Sequence, residues 1–479
     1  MKEIAEIALD QAVAKGAEYA DVRVARYRRQ NISVEDQRVS GLSDTEDIGF
    51  GVRALYRGAW GFAGSSKMTR EEAMRIAEQA VAIAMASASA LKKSVRLTEE
   101  APTVIDFRSE VKVDPFTVPV ESKIGLLLKI NQELLKPELV KKAFGFMTLR
   151  GDERLFMSSE GSHLSSYVVT TAAGYQATAV KEGDAQSRTY MLPPRTIGYE
   201  NIDAEGMLAN ASRVAAQAVE LLSAKPCPDG VTDLILDPHN LALTIHESVG
   251  HATELDRALG YEESLAGRSF ATPDRLRNLK YGSDLITFQA NNQLPGGLAT
   301  QGFDDDGVLA QEWNIVEDGL FVGYSAGREV AAEIGMERSP GGCRADHWGS
   351  IPIVRIPNLS LTPGREPLSL EELISDTSDG IYIEGMGSFS IDQMRCNFQF
   401  GGDACWEIKD GRIVGMLRDV TYQSITTDFW NSCDAICDER YWAPNGVLNC
   451  GKGDPMQVAQ MTHGAAPARF RNIRVGAAR

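Results

Sequence analysis

The apolar positions of the first 225 residues change period several times along the chain. Ile4, Ile7, Ala8, Ala12 and Val13 recur at helical spacing over residues 2–15, and Gly16 supplies a stop. Period-two alternation follows at Val22 and Val24, at Ile32 and Val34, and from Ile48 through Phe50, Val52 and Ala54 to Tyr56, which predicts strands. Thr69 and Glu72 form a capping-box pattern ahead of a long helix reaching about residue 91. Helices are also predicted over residues 122–135 and, from Leu208, Ala211, Ala215, Ala218 and Leu222, up to about residue 224. Between the last two helices, residues 155–158, 164–173 and 187–191 read as β-type segments.

Lys225-Pro226-Cys227-Pro228-Asp229-Gly230 marks the main boundary, because two prolines and a glycine cannot continue a helix. A buried-type strand over 232–236 follows, and Asp237-Pro238 reads as the N-cap and first residue of a new helix. From about residue 282 the chain is rich in short alternating segments. Asp304-Asp305-Asp306-Gly307, Glu317-Asp318-Gly319 and Lys409-Asp410-Gly411 read as hairpin turns between them. The expected fold class is therefore α+β: an N-terminal α+β domain over 1–225, then a β-rich C-terminal domain over 226–479.

Composition narrows the function. The net charge of −17 repels nucleic acid and anionic lipid, which argues against both as partners. The most apolar helical stretch, residues 81–91, is too short to span a bilayer. No signal peptide is visible at the N-terminus, and the seven cysteines form an odd set without a disulfide framework. A cytoplasmic, reducing location is expected. Six of those cysteines follow residue 340, so thiol-based metal chemistry is to be sought in the C-terminal half.

The chemistry concentrates in His246-Glu247-Ser248-Val249-Gly250-His251, which holds two of the chain's six histidines around one carboxylate. Zinc-protease helices use His-Glu-x-x-His, with ligands four apart. At about 100° per residue, a spacing of five puts the second histidine about 140° from the first, off the face of a regular helix. A local π-type turn restores one face, and Gly250 is the residue most tolerant of such a distortion. A zinc site on a locally widened helix is predicted. His246 and His251 would supply two ligands, and Glu247 would take a proton from zinc-bound water as general base. Cys450, in Asn449-Cys450-Gly451-Lys452-Gly453, and Glu254, one helical turn beyond His251, are equal candidates for the third ligand, with Asp256 a further alternative. The bland alternative is a surface helix with satisfied histidines. Cys433 and Cys437, four apart on an expected helical turn, lack partners for a second metal. His347 reads as a hydrogen-bonding loop residue, and His163, His239 and His463 as having no catalytic role.

At these residues the chain resembles the TldD/PmbA family of metallopeptidases, on the TldD side. The similarity is carried by Thr244-Ile245-His246-Glu247-Ser248-Val249-Gly250-His251-Ala252-Thr253-Glu254, by Ser158-Ser159-Glu160-Gly161, by Gly302-Phe303-Asp304-Asp305-Asp306-Gly307 and by Cys450-Gly451-Lys452-Gly453. The resemblance implies metal ligands at His246, His251 and Cys450, and a catalytic glutamate at Glu247. It implies an N-terminal domain serving dimerisation and a substrate cavity, and a C-terminal zinc metallopeptidase domain. It also implies a dimer, either of identical chains or with a PmbA/TldE-type partner, and unfolded or short peptides as substrates. Residues 389–396 depart from the family pattern in being less rich in glycine. The rival expectation is a non-catalytic partner subunit of such a complex. A third is a structural zinc, which a fourth donor such as Glu254 would favour.

Overall fold

A computed structural model describes residues 1–477. The N-terminal half is built on one twisted sheet with all four of its long helices on the same face. Helix α1 (Lys2–Ala14) buries Ala5, Ala8 and Ala12 and stops at Gly16, where φ is +97°. Helix α2 (Arg70–Ala88) ends three residues short of the expected limit. Only half of its capping box forms. Thr69 Oγ1 accepts from the Glu72 N–H at 3.3 Å, but the Glu72 carboxylate turns to Ser65 and Arg75 instead of back to the Thr69 N–H. Helices α3 (Val120–Leu134) and α4 (Ala204–Leu221) complete the layer.

Beneath the helices run β1 (Tyr19–Glu35), β2 (Arg38–Tyr56), β3 (Ala59–Ser65), β4 (Val104–Arg108), β5 (Val140–Ser158), β6 (His163–Lys181) and β7 (Asp184–Arg195). Their order is β3-β2-β1-β5-β6-β4, with β7 also paired to β6. Side chains alternate across a strand. Val22 and Val24 of β1 and Leu155 of β5 therefore pack under α1 and α2, while Met147 and Leu149 of β5 pack under α3 and α4. The opposite face, with Asp21, Arg23, Phe146 and Arg150, is turned toward the C-terminal half.

That half is organised by a ten-stranded sheet. Its strand Gly230–Leu236 is buried at Leu234, Ile235 and Leu236, and lies between Asp379–Glu384 in parallel and Ala468–Ala477 in antiparallel pairing. The boundary segment is not a free linker, because Lys225–Pro226 pairs with Arg412–Arg418 at the sheet's edge. Two of the three expected turns are tight hairpins: Asp318 and Gly319, and Asp410 and Gly411, all have positive φ, as a two-residue hairpin turn requires. The third differs. Asp304, Asp305 and Asp306 are buried, and the last two face arginines of the N-terminal sheet, with Arg53 donating to Asp306 at 2.9 Å and Arg154 3.6 Å from Asp305. Gly307 turns the chain with a positive φ (+81°), as a turn glycine should, but the aspartates are an electrostatic plug between the halves. Burial and the neighbouring Asp306 push the Asp304 carboxyl well above its ordinary value, whereas burial of Asp306 is outweighed by Arg53, which holds it low.

The seven cysteines are free. Cys433–Ile436 is a strand, not a helical turn, so Cys433 and Cys437 do not share a helix face. Among the described residues no helix is long and apolar enough to cross a membrane.

Candidate metal centre

The motif helix begins as its sequence requires. The Asp237 carboxylate accepts from the Asn240 N–H at 2.7 Å, Pro238 occupies the first turn, and helix α5 runs over Pro238–Ile245. From His246 to Gly250 the helix widens into a π turn, and the His251 N–H reaches back to the His246 carbonyl. A spacing of five now falls on one face. The His246 and His251 ring centroids are 4.8 Å apart. Gly250 does not owe its place to conformational tolerance, because its φ of −54° and ψ of −62° are those of any helical residue. Its lack of a side chain serves packing: a Cβ there would lie 2.8 Å from Ile356 Cδ1 and 3.0 Å from Ile356 Cγ2.

Cys450 reaches the same point from the other end of the chain. It lies in the strand Ala443–Lys452, not in a turn, at a register shift against Gln457–Ala465. Such irregularities re-aim side chains. Its sulfur stands 3.4 Å from His251 Nε2, and the ligand-type atoms of His246, His251 and Cys450 all fall within 4.8 Å of one another. Among the described residues these three are the group of His, Cys, Asp or Glu side chains gathered closely enough to hold a metal ion.

Neighbouring groups fix the state of each. His463 Nδ1 donates to the Leu359 carbonyl at 2.8 Å, so its Nε2 accepts from His246 Nδ1 at 2.9 Å and leaves the His246 Nε2 lone pair open. His251 Nδ1 donates to Glu254 Oε2 at 2.7 Å, which directs its Nε2 toward Cys450. Glu254, the alternative third ligand, is thus committed to His251 and to Lys452, 3.2 Å away. Asp256 is committed to Lys452 at 2.8 Å. Burial works to raise the Glu254 carboxyl, but Lys452 and His251 hold it well below the carboxylate range. Burial likewise opposes ionisation of Cys450, yet the facing His251 and the Arg355 guanidinium, 3.2 Å from the sulfur, bring its thiol below the ordinary value.

Glu247 faces the cavity beside the three and is 7% exposed. Arg395 donates to its Oε2 at 2.5 Å. Burial would raise this carboxyl, and His246, His251 and Arg395 together lower it, so it is ionised. Arg395 sits in the sequence segment that departs from the family pattern, with a left-handed φ of +61°. Neither Arg395 nor His463 carries a local sequence signal: they lie 148 and 217 residues from the groups they touch. His239 also lines the cavity, and burial pushes it down to about 4, so it is neutral. His347 is bound to Asp47 at 2.7 Å, as a loop residue would be. The cavity has a volume of about 720 Å³ and lies between the motif helix, the strand of Cys450 and the open face of the N-terminal sheet.

Comparison with known proteins gives this constellation its context. Residues 229–477 match the family model of the PmbA/TldA metallopeptidase C-terminal domain, residues 113–225 that of the central domain and residues 20–84 that of domain 1. The chain belongs to the TldD/PmbA family of metallopeptidases. Within the family it is 28% identical over 421 residues to a metalloprotease of Methanocaldococcus jannaschii, covering 88% of this chain and 89% of the relative. It is 22% identical to the zinc metalloprotease TldD homolog of Saccharolobus solfataricus, covering 98% of both chains. The solved structure of TldE from Thermococcus kodakarensis superposes with a TM-score of 0.74 at 17% identity, covering 99% of this chain and 100% of that one, a likeness in fold. The expectations of an α+β fold and of a metallopeptidase both hold. In this family member the two N-terminal matches share one continuous sheet, and the third begins inside the boundary segment at Asp229.

Proposed function

We propose that this TldD/PmbA-family metallopeptidase is a zinc-dependent peptidase of unfolded or short peptides, with His246, His251 and Cys450 as metal ligands and Glu247 as general base. The reading is carried by one observation, the convergence of two oriented imidazoles and a thiol beside an ionised glutamate on a cavity wall. The donors fit zinc: two nitrogens and a sulfur are ordinary zinc ligands, and three protein donors suit a catalytic site rather than a closed structural one. Glu254, which would have closed the set, is engaged by His251 and Lys452. Bound there, zinc would supply Lewis acidity toward the scissile carbonyl and toward water.

The chain's own groups handle the proton. Glu247 accepts it as the water oxygen bonds to the carbonyl carbon, and returns it to the amide nitrogen as the C–N bond breaks. Arg395 holds the Glu247 carboxylate in place and ionised. His463 and Glu254 fix the two imidazoles in the tautomer that offers Nε2. A cavity of about 720 Å³ takes a few residues of extended chain and excludes a folded surface. We assign the protein to the cytoplasm, and to a dimer of like chains or with a PmbA/TldE-type partner. Its intact donor set disfavours a purely non-catalytic role.

The test is cleavage of an unstructured peptide, with and without a chelator, by the chain alone and after addition of a PmbA-type protein from the same cell. Metal content near one zinc per chain and chelator-sensitive cleavage are expected. Glu247→Ala should keep the metal and lose cleavage; an active variant removes Glu247 as the base.

A further inference from the structure

The wall of the cavity facing the motif helix carries a charge that this hydrolysis leaves unused. Phe146, Thr148 and Arg150 alternate along β5 onto the cavity, while Met147 and Leu149 between them are buried under the helices. Arg150 stands directly opposite Arg29 of β1. Like charges so placed destabilise a strand pair. The carboxylate two residues along the strand, Asp152, is taken by Arg29. With its carboxamide oxygen turned toward the guanidinium, Gln460 accepts from Arg150 at 2.6 Å, which positions the group without neutralising it. Among the described residues no carboxylate lies within ion-pair distance of Arg150. The cavity's other guanidinium, Arg395, is already paired with Glu247.

Burial and Arg29 make the charged form of Arg150 costly. A guanidinium nevertheless stays protonated, and its planar fork matches a carboxylate through two parallel hydrogen bonds. Phe146 and Met191 add apolar surface to this wall, beside the neutral polar side chains of Asn31 and Thr148, so no other charge on it competes for an anion. A cation held in this way, at a cost to the sheet and within the same cavity as Glu247, has the chemistry of a receptor for an anion that arrives with the substrate.

We propose that Arg150 binds a carboxylate of the peptide substrate and thereby fixes which bond is presented to Glu247. This rests on the peptidase reading above. The carboxylate is the free C-terminus, which would make the enzyme a trimmer of chain ends, or an Asp or Glu side chain, which would make it selective for acidic positions.

Three matched peptides separate the sources: one ending in a free acid, one in an amide, and one amidated with Glu as its last residue. Affinity is read by fluorescence anisotropy in the Glu247→Ala background, and kcat/KM in the zinc-loaded native enzyme. The native site should favour a carboxylate-bearing peptide over the neutral amide at least about ten-fold, the scale of one charge-assisted pair. Arg150→Gln should abolish that preference and leave affinity for the neutral amide unchanged, which also reports an intact cavity. Arg150→Lys, which keeps the charge without the fork, should retain part of it. Equal binding of all three peptides by the native protein, or a preference that survives both substitutions, overturns the proposal. Failure of the zinc-loaded protein to cleave any of them overturns the peptidase reading, and the role of Arg150 with it.

Discussion

Alanine at position 250 would place a methyl group where the motif helix meets the core of the C-terminal half. Its backbone is already helical, so on propensity alone Gly250→Ala should stabilise the protein by about 1 kcal/mol. The new Cβ would lie 2.8 Å from Cδ1 and 3.0 Å from Cγ2 of Ile356, a fully buried side chain. Overpacking of this kind costs about 1–3 kcal/mol. The net expectation is a loss of up to about 2 kcal/mol, where propensity alone predicts a gain. Ile356→Val removes the closest of those contacts and by itself costs about 0.5–1.5 kcal/mol. In the Gly250→Ala background it should cost less, so the double variant should be more stable than the sum of the two by at least about 0.5 kcal/mol. Denaturant unfolding of the metal-free protein measures the cycle, and zinc affinity against a chromophoric chelator shows whether His251 has been displaced. A Gly250→Ala variant more stable than its parent, with effects additive with Ile356→Val, would refute the packing explanation of the glycine.

Further outcomes follow from the groups around the donors. Glu254→Gln should weaken zinc affinity by about 10–100-fold, because it removes the charge that orients His251; unaltered affinity by competition titration would show that the carboxylate is not needed. Cys450→Ala should weaken metal retention more severely, and an unchanged affinity would remove Cys450 from the ligand set. As the proposed base, Glu247 would act ionised; burial works to raise its carboxyl, and His246, His251 and Arg395 bring it below its ordinary value. Activity is therefore expected to fall as pH falls through its pKa, and Arg395→Met, by removing the guanidinium paired with it, should move the acid limb of kcat/KM to higher pH; a limb that stays in place would refute the coupling.

The motif helix was legible because its signal is local. Two histidines five apart around a glutamate demand a widened turn, and the π turn lies over His246–Gly250. The hydrophobic period likewise placed α1, α3 and α4 to within a few residues, because each buries one regular stripe. Residue chemistry alone left Cys450 and Glu254 level; the family resemblance favoured Cys450, and the fold places its sulfur beside His251. What stayed hidden depends on partners distant in sequence. His463 has no neighbouring motif in the sequence, though it fixes the tautomer of a residue 217 positions away. Asp304-Asp305-Asp306 reads as a hairpin turn, and nothing nearby in the sequence announces its partners Arg53 and Arg154 on the other half. Glu72 satisfied a capping pattern on paper but found a stronger partner in Arg75.

The Lys452 ammonium joins Glu254 and Asp256 behind the motif helix, two residues beyond Cys450 on the same strand. It thereby ties together Asp256 and Lys452, 196 positions apart in the chain, without using any atom offered to the metal. For a flexible chain, closing a loop of that length costs about 4.7 kcal/mol by the logarithmic rule. Folding bears that cost here, so the fold itself gathers the three side chains proposed as metal ligands. Metal exchange should then proceed without unfolding, and first-row ions will compete by donor preference and by supply. The metal recovered with the protein would report the supply of ions as much as the protein's own selectivity.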